Sequence, residues 1–128
     1  MSTHLAIFVG DAIEKILKGK KTIDIRLSQS AAIPYRKVMS GDMILLKQSS
    51  GGVVGQAEVE NILYFQNLDV SEITKIKYKY GSKIKMDEQF WLAHANAKYA
   101  TLIFLIHPQR VISDLPYHKK DRRSWVIL

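Results

Sequence analysis

The densest group of reactive side chains in the sequence is Gly19-Lys20-Lys21-Thr22-Ile23-Asp24-Ile25-Arg26. Residues 22–28 read as a β-strand, in which successive side chains point to opposite faces. Ile23, Ile25 and Leu27 then feed a core. Thr22, Asp24 and Arg26 place a hydroxyl, a carboxylate and a guanidinium on the other face, at steps of two. Lys20 and Lys21 sit where a helix ends and this strand begins. Such a cluster offers two kinds of chemistry. Its Lys and Arg donors suit a phosphate or a polar base edge. Alternatively, a lysine of depressed pKa acts as a base, with the carboxylate as its partner. The plain alternative is a surface Asp24–Arg26 pair beside two solvated lysines.

A second basic cluster lies near the other end. Lys119, Lys120, Arg122 and Arg123 are placed to track a phosphate backbone, with Trp125 or Tyr117 to stack on a base. The apolar run Val126-Ile127-Leu128 argues instead for Trp125 as part of a buried closing strand. Lys75, Lys77, Lys79, Lys83 and Lys85 form a third basic stretch, which reads as a solvated face or a weak RNA arm. His4, His94, His107 and His118 lack ligand spacing, so no metal site is expected. His94 reads as structural. No phosphate-binding glycine loop, nucleophile elbow or dinucleotide fingerprint is present, and no cofactor is expected.

The elements that must position these residues follow from periodicity. Residues 5–9 form a short apolar strand. Asp11 and Glu14 make a capping-box pattern ahead of Ala12, Ile13, Ile16 and Leu17, and Gly19 is a natural left-handed stop. Residues 29–37 are a loop containing Pro34 and the basic pair Arg36-Lys37. After the Gly41-Asp42 turn, residues 43–47 and 53–65 form a hairpin around Ser49-Ser50-Gly51-Gly52, with Gly55 marking a bulge or bend. Asp69 and Glu72 start a helix over Ile73, Ile76 and Tyr80, with Gly81 as its stop. Alternation of Lys75, Lys77 and Lys79 keeps a strand open there. Asp87 opens another helix carrying Phe90, Trp91 and His94. Residues 99–106 are a buried strand that Pro108 breaks. Many short strands and few short helices predict an α+β fold on a mainly antiparallel, partly closed β-barrel.

The chain has 128 residues, which suits a single domain over 1–128 with a core that needs no staples. It has no cysteine, which fits a reducing cytoplasm. No signal peptide is visible, and no stretch approaches the roughly 20 apolar residues that span a bilayer, so no membrane partner is expected. Nineteen Lys and Arg against twelve Asp and Glu give a formal net charge of +7. A small basic chain favours polyanion partners, RNA or DNA first.

Gly19-x-Lys21-x-x-Asp24-x-Arg26 resembles the G-x-K-x-x-E-x-R signature of ASCH domains, in the PUA-like superfamily. Further blocks are similar in order and spacing: Tyr35-Arg36-Lys37 with Gly41-Asp42 and its strand, residues 53–64, Phe90-Trp91, residues 99–104, and residues 119–126. The resemblance implies a PUA-like barrel with a cleft between barrel and first helix, lined by Lys21, Asp24 and Arg26, and a role in RNA metabolism. Asp24 stands where the family usually carries Glu and reaches one methylene less far. One branch of the superfamily hydrolyses acetylated cytidine and is similar in Gly19-Lys20-Lys21-Thr22-Ile23. Its lysine maps to Lys21, but its nucleophilic threonine maps to Asp24, which cannot replace an activated hydroxyl. Thr22 is one step earlier on the same face, roughly 6–7 Å away. That branch's later glutamate corresponds to Glu88 in one alignment.

Three readings follow. The first is RNA or a nucleotide-like ligand bound by Lys20, Lys21, Thr22, Asp24 and Arg26, with the basic tail assisting. The second is an enzyme of the same fold using Lys21 and Asp24, either an amidohydrolase on a modified nucleoside or a metal-independent ribonuclease with a Lys/Tyr/Ser type of site. The third is a protein-interaction module whose basic surface meets an acidic partner.

Overall fold

The computed structural model describes residues 1–111 and 123–128. In chain order the elements are β1 (Thr3–Phe8), α1 (Ala12–Leu17), β2 (Ile23–Ser28), β3 (Met43–Gln48), β4 (Val53–Phe65), α2 (Val70–Ile84), α3 (Glu88–Ala93), β5 (Tyr99–Arg110) and β6 (Trp125–Ile127). The six strands form one mixed sheet in the order β2-β5-β4-β3-β1-β6. Every neighbouring pair is antiparallel except β1 with β3. The sheet curls into a half-barrel, so the fold is the mainly β, α+β PUA-like class that the pattern of short strands predicts. Among the described residues no helix is long and apolar enough to cross a membrane.

Each face of the sheet carries its own core. On one face, Ala6, Phe8, Ile44, Leu46, Ala57, Val59, Ile103, Leu105 and Trp125 pack with Ile13 and Ile16 of α1. A helix of six residues has little stability of its own. Burial of Ile13 and Ile16, about 1.5–3 kcal/mol each, is what holds it on the sheet. The other face packs Ile23, Ile25, Ala100 and Leu102 against Ile73, Ile76 and Ile84 of α2 and Trp91 of α3. Strand β2 is therefore covered on both sides. The parity read from its sequence holds, and its polar face is turned toward the core that includes α1.

Local chemistry explains where the elements differ from expectation. Asp69 and Asp87 are N-caps, accepting from Glu72 N at 2.8 Å and Phe90 N at 2.9 Å. Both have extended ψ, near 177° and 173°. Asp11 has ψ 15° and makes no capping bond. Its carboxylate instead pairs with Lys15 Nζ at 3.3 Å. The basic stretch from Lys75 is helix, not strand, and α2 runs through Gly81 to Ile84, stopping at left-handed Lys85 with φ 58°. A glycine inside a helix costs about 1 kcal/mol. Fully burying Ile84, one turn beyond Tyr80, outweighs that. Pro108 does not end β5. A register shift opposite Gln56 and Glu58 gives the strand a bulge there, with His107 at φ 52°. The bulge accommodates a residue that lacks an N–H for the ladder. A second shift, at Leu46/Lys47, lies beside Gly55. A side chain at Gly55 would meet Gln109 O at 3.1 Å and Leu17 Cδ2 at 3.2 Å, so α1 and the sheet need a glycine there.

Candidate functional site

The turn between α1 and β2 depends on Gly19, whose φ of 75° disfavours any other side chain. Lys20 N and Lys21 N then donate to the Lys15 carbonyl at 2.9 and 3.0 Å, folding the signature segment back on α1. Thr22 N bonds Lys83 O and Leu105 N bonds Thr22 O, which fixes the start of β2 between α2 and β5. Lys20 remains exposed and Thr22 is half-buried.

Lys21 is only 2% exposed. Its Nζ donates to the Ile84 carbonyl at 2.5 Å, at the end of α2. Burial lowers its pKa from the ordinary 10.5; Asp24 opposes that, while Arg26 and Lys15 add to it. Thus Lys21 faces α2, whereas Asp24 and Arg26 face the opposite side.

Asp24 is 5% exposed, and its carboxylate accepts from Arg26 Nε at 2.8 Å. The partner of Asp24 is therefore Arg26 rather than Lys21, and the pair is buried rather than solvated. Arg26 Nη2 donates to the Ile7 carbonyl at 3.1 Å, and Nη1 is 3.4 Å from the Ser124 carbonyl. Its guanidinium carbon lies 4.9 Å from the Phe8 ring centre and 5.1 Å from that of Trp125. A charge this deep needs such partners, because an unpaired buried ion costs several kcal/mol. Among the described residues, three of its five N–H donors have hydrogen-bond partners. With 16% of its side chain exposed, Arg26 still reaches the surface.

Strand register places polar neighbours around this cation. Arg26 lies opposite Thr101, which lies opposite Tyr64; Ser28 lies opposite Tyr99. Tyr35, from the loop after β2, packs edge-on against Tyr64 and Tyr99, with ring centres at 5.4 and 5.0 Å. Tyr64 Oη donates to Val38 O at 2.6 Å and accepts from Val38 N at 3.0 Å, pinning that loop. Burial raises the Tyr64 pKa above its ordinary 10.0, despite the Val38 hydrogen bond. Arg36, exposed beside them, has its guanidinium 5.5 Å from the Tyr35 ring centre. Sequence reading did not find this tyrosine group; only the two-residue parity of β4 and β5 hinted at a shared face.

Beneath the site lies a second network that sequence reading missed. Trp125 Nε1 donates to His4 Nδ1 at 3.1 Å. An indole only donates, so Nδ1 accepts and the imidazole proton sits on Nε2, facing Asp42 Oδ2 at 2.8 Å. Asp42 also accepts from Ser2 N at 2.9 Å and Met39 N at 3.0 Å. Burial alone would raise the Asp42 pKa; the hydrogen bonds from Ser2, His4 and Met39 outweigh it and hold the group below 3.8. Trp125 is thus a core residue of β6, 1% exposed, and no stacking platform.

The remaining candidates fall elsewhere. Glu88 opens α3 and pairs with Lys77, so it does not meet Asp24 or Lys21. His94 Nδ1 faces the Phe90 carbonyl at 2.8 Å, a helix-end contact. Arg123 is exposed just before β6. Tyr117, His118, Lys119, Lys120 and Arg122 lie outside the described residues. Two cavities, of about 470 and 250 Å³, open on the helical side. Neither is lined by Lys21, Asp24 or Arg26; Asp24 and Arg26 form a braced pair whose exposed part is the edge of Arg26.

No protein-family profile and no curated protein matches the sequence. Solved structures do. An ASCH protein from Zymomonas mobilis superposes with a TM-score of 0.65 at 19% identity, over 84% of this chain and 69% of that one. A variant of the Zymomonas protein carrying phenylalanine for a tyrosine matches with a TM-score of 0.74 at 17% identity, over 100% and 91% of the two chains. A variant carrying alanine for a serine gives 0.71 at 16% identity, over 98% and 87%. The chain has the ASCH fold.

Proposed function

We propose that this ASCH-fold chain binds RNA, or a nucleotide-like part of it, at the rim of the half-barrel where Arg26 reaches the surface. The observation that carries the reading is the bracing of Arg26. Asp24, the Ile7 carbonyl and two aromatic rings fix its guanidinium, and its exposed edge offers N–H donors suited to a phosphate or a base edge. A cation held in advance loses little side-chain entropy on binding. Arg36 stands nearby over Tyr35, and the formal net charge of +7 favours a polyanion. Asp24 then acts as a post that holds the cation from below, while Arg26 and Arg36 meet the ligand.

Fluorescence anisotropy with a labelled single-stranded oligoribonucleotide at low salt tests this. The Asp24→Asn/Arg26→Gln double variant leaves no unpaired buried charge, so its fold can be checked by circular dichroism. The expected result is weaker RNA binding by a folded variant. Unchanged affinity in the variant, or no binding by the parent protein, overturns the reading.

One observation favours catalysis as a second reading: a buried amine, Lys21, whose pKa is lowered by burial although Asp24 opposes the shift. An amine whose pKa is lowered gives up its proton more readily, which suits a base. The Zymomonas variants alter a tyrosine and a serine hydroxyl, and this chain sets Tyr35, Tyr64, Tyr99 and Ser28 around Arg26, away from the Lys21 amine. Incubation with acetylated cytidine and with a mixed RNA pool separates hydrolysis from binding. Activity that persists in Lys21→Met removes Lys21 from any catalytic role.

A further inference from the structure

The exposed side of α2 carries a feature that the Arg26 site does not use. Lys75, Lys79 and Lys83 recur at every fourth residue of the helix and all three are exposed. Positions four apart advance about 6 Å along a helix and only about 40° around it, so the three form one stripe about 12 Å long. The intervening Lys77 is off the stripe and is neutralised by Glu88, with Nζ–Oε2 at 2.5 Å. Among the described residues no carboxylate pairs with Lys75, Lys79 or Lys83.

Beside the stripe lies the cavity of about 250 Å³, lined by Phe65, Leu68, Ile76 and Tyr80 and rimmed by Lys75, Lys79 and Glu72. Pockets for drug-sized ligands run to roughly 300–1,000 Å³. This one is on the scale of a single planar ring system. The Lys79 ammonium sits 5.2 Å from the Tyr80 ring centre, so a cation stands at the edge of an aromatic surface. At its far end the stripe reaches the signature segment, because Thr22 N bonds Lys83 O at 3.0 Å and exposed Lys20 is two residues away.

We infer that this face of α2 is a track for a single-stranded polynucleotide, separate from the Arg26 site. One cation per helical turn matches successive phosphates of an extended strand, and the adjoining aromatic pocket takes one unstacked base. A duplex keeps its bases stacked and leaves the pocket empty. An acidic protein uses the lysines but not the aromatic floor. The inference shares with the preceding reading the class of ligand, not the place where it binds.

The test compares the parent protein, the triple variant Lys75→Gln/Lys79→Gln/Lys83→Gln and the variant Tyr80→Leu. Probes are labelled oligouridylate, oligothymidylate, an RNA duplex and polyglutamate, each titrated across a salt series. Each phosphate contact on a single strand contributes about 0.7 to the slope of log affinity against log salt. The triple variant is expected to lose about 2 from that slope on the two single strands. Tyr80→Leu is expected to weaken single-strand binding on the order of tenfold, with the salt slope unchanged. If the triple variant keeps the parent's slope while the Asp24→Asn/Arg26→Gln variant loses affinity, the track is wrong and the Arg26 site stands. If the triple variant loses slope while the Arg26 variant binds as the parent does, the track stands and the Arg26 site is wrong. Equal losses on duplex or polyglutamate, or no effect of Tyr80→Leu, overturn the track by reducing it to a general basic surface.

Discussion

Separating Asp24 from Arg26 should be costly, and removing both should cost far less than the sum. Asp24 is 5% exposed and the Arg26 side chain 16%, so neither charge is well screened by water. Breaking a buried ion pair by deleting one partner costs about 3–5 kcal/mol, mostly as the stranded charge. Asp24→Asn therefore leaves the guanidinium between Phe8 and Trp125 with a neutral amide oxygen and backbone carbonyls but without its carboxylate counter-charge. Arg26→Gln leaves a buried carboxylate without the guanidinium that pairs with it. Each single change should cost about 3 kcal/mol or more, a large share of the roughly 5–15 kcal/mol that holds a typical protein folded. The double change strands neither charge. Its cost should fall at least about 2 kcal/mol below the sum of the two single costs, within the range seen for residues in direct contact. Urea unfolding of all four proteins at pH 7, followed by tryptophan fluorescence and circular dichroism, gives the coupling. Additivity within about 0.5 kcal/mol would falsify the argument, because it would mean that the two charges are solvated and the bracing of Arg26 is not real.

Other predictions concern the surrounding network. His4→Phe strands the Trp125 indole donor and removes a donor from Asp42, so urea unfolding should show a loss of about 2–5 kcal/mol; a loss below about 1 kcal/mol contradicts the network. The folded-state pKa of Asp42 is lowered, so its contribution to stability is full above the ordinary 3.8 and is lost as the pH falls through the folded value. Comparing the parent with Asp42→Asn at pH 7 and pH 3 should show the gap in stability shrinking in acid; a constant gap refutes this. The Lys21 pKa is also lowered, so between its folded value and 10.5 the unfolded chain binds more protons and stability rises with pH. Replacing Lys21 by Met removes that rise, and the parent should gain on Lys21→Met as the pH rises toward 10.5 in the same unfolding assay.

Much of this architecture was legible because it is written at short range. The two-residue parity of β2, the caps at Asp69 and Asp87 and the glycine at position 19 are local choices, and each holds in the structure. The order of blocks from Gly19 to residue 104 carried the fold. Failures came where packing overrode local signals. Ile84 drew α2 past Gly81, and a bulge carried β5 past Pro108. The candidate site was legible as a set of residues but not as a geometry. Parity told which side chains share a face; it could not tell that the face turns inward, since that depends on α1 and β6 closing over it. The bond from Trp125 to His4 spans 121 residues, and nothing in either local sequence marks it. Tyr35, Tyr64 and Tyr99 likewise meet only once β4, β5 and the loop after β2 are assembled.

The central claim is that a pre-braced Arg26 meets RNA at the rim of the half-barrel. Its most direct test is an NMR titration of ¹⁵N-labelled protein with a short single-stranded oligoribonucleotide at low salt. Arg26 Nε–H and Trp125 Nε1–H are reporters built into the site, one bonded to Asp24 and the other to His4. The account predicts that the Arg26 Nε–H resonance and the backbone amides of Arg36 and Ser28 shift with added RNA, while the Trp125 indole, held beneath, moves less. Saturable binding that leaves Arg26, Ser28 and Arg36 unmoved contradicts it.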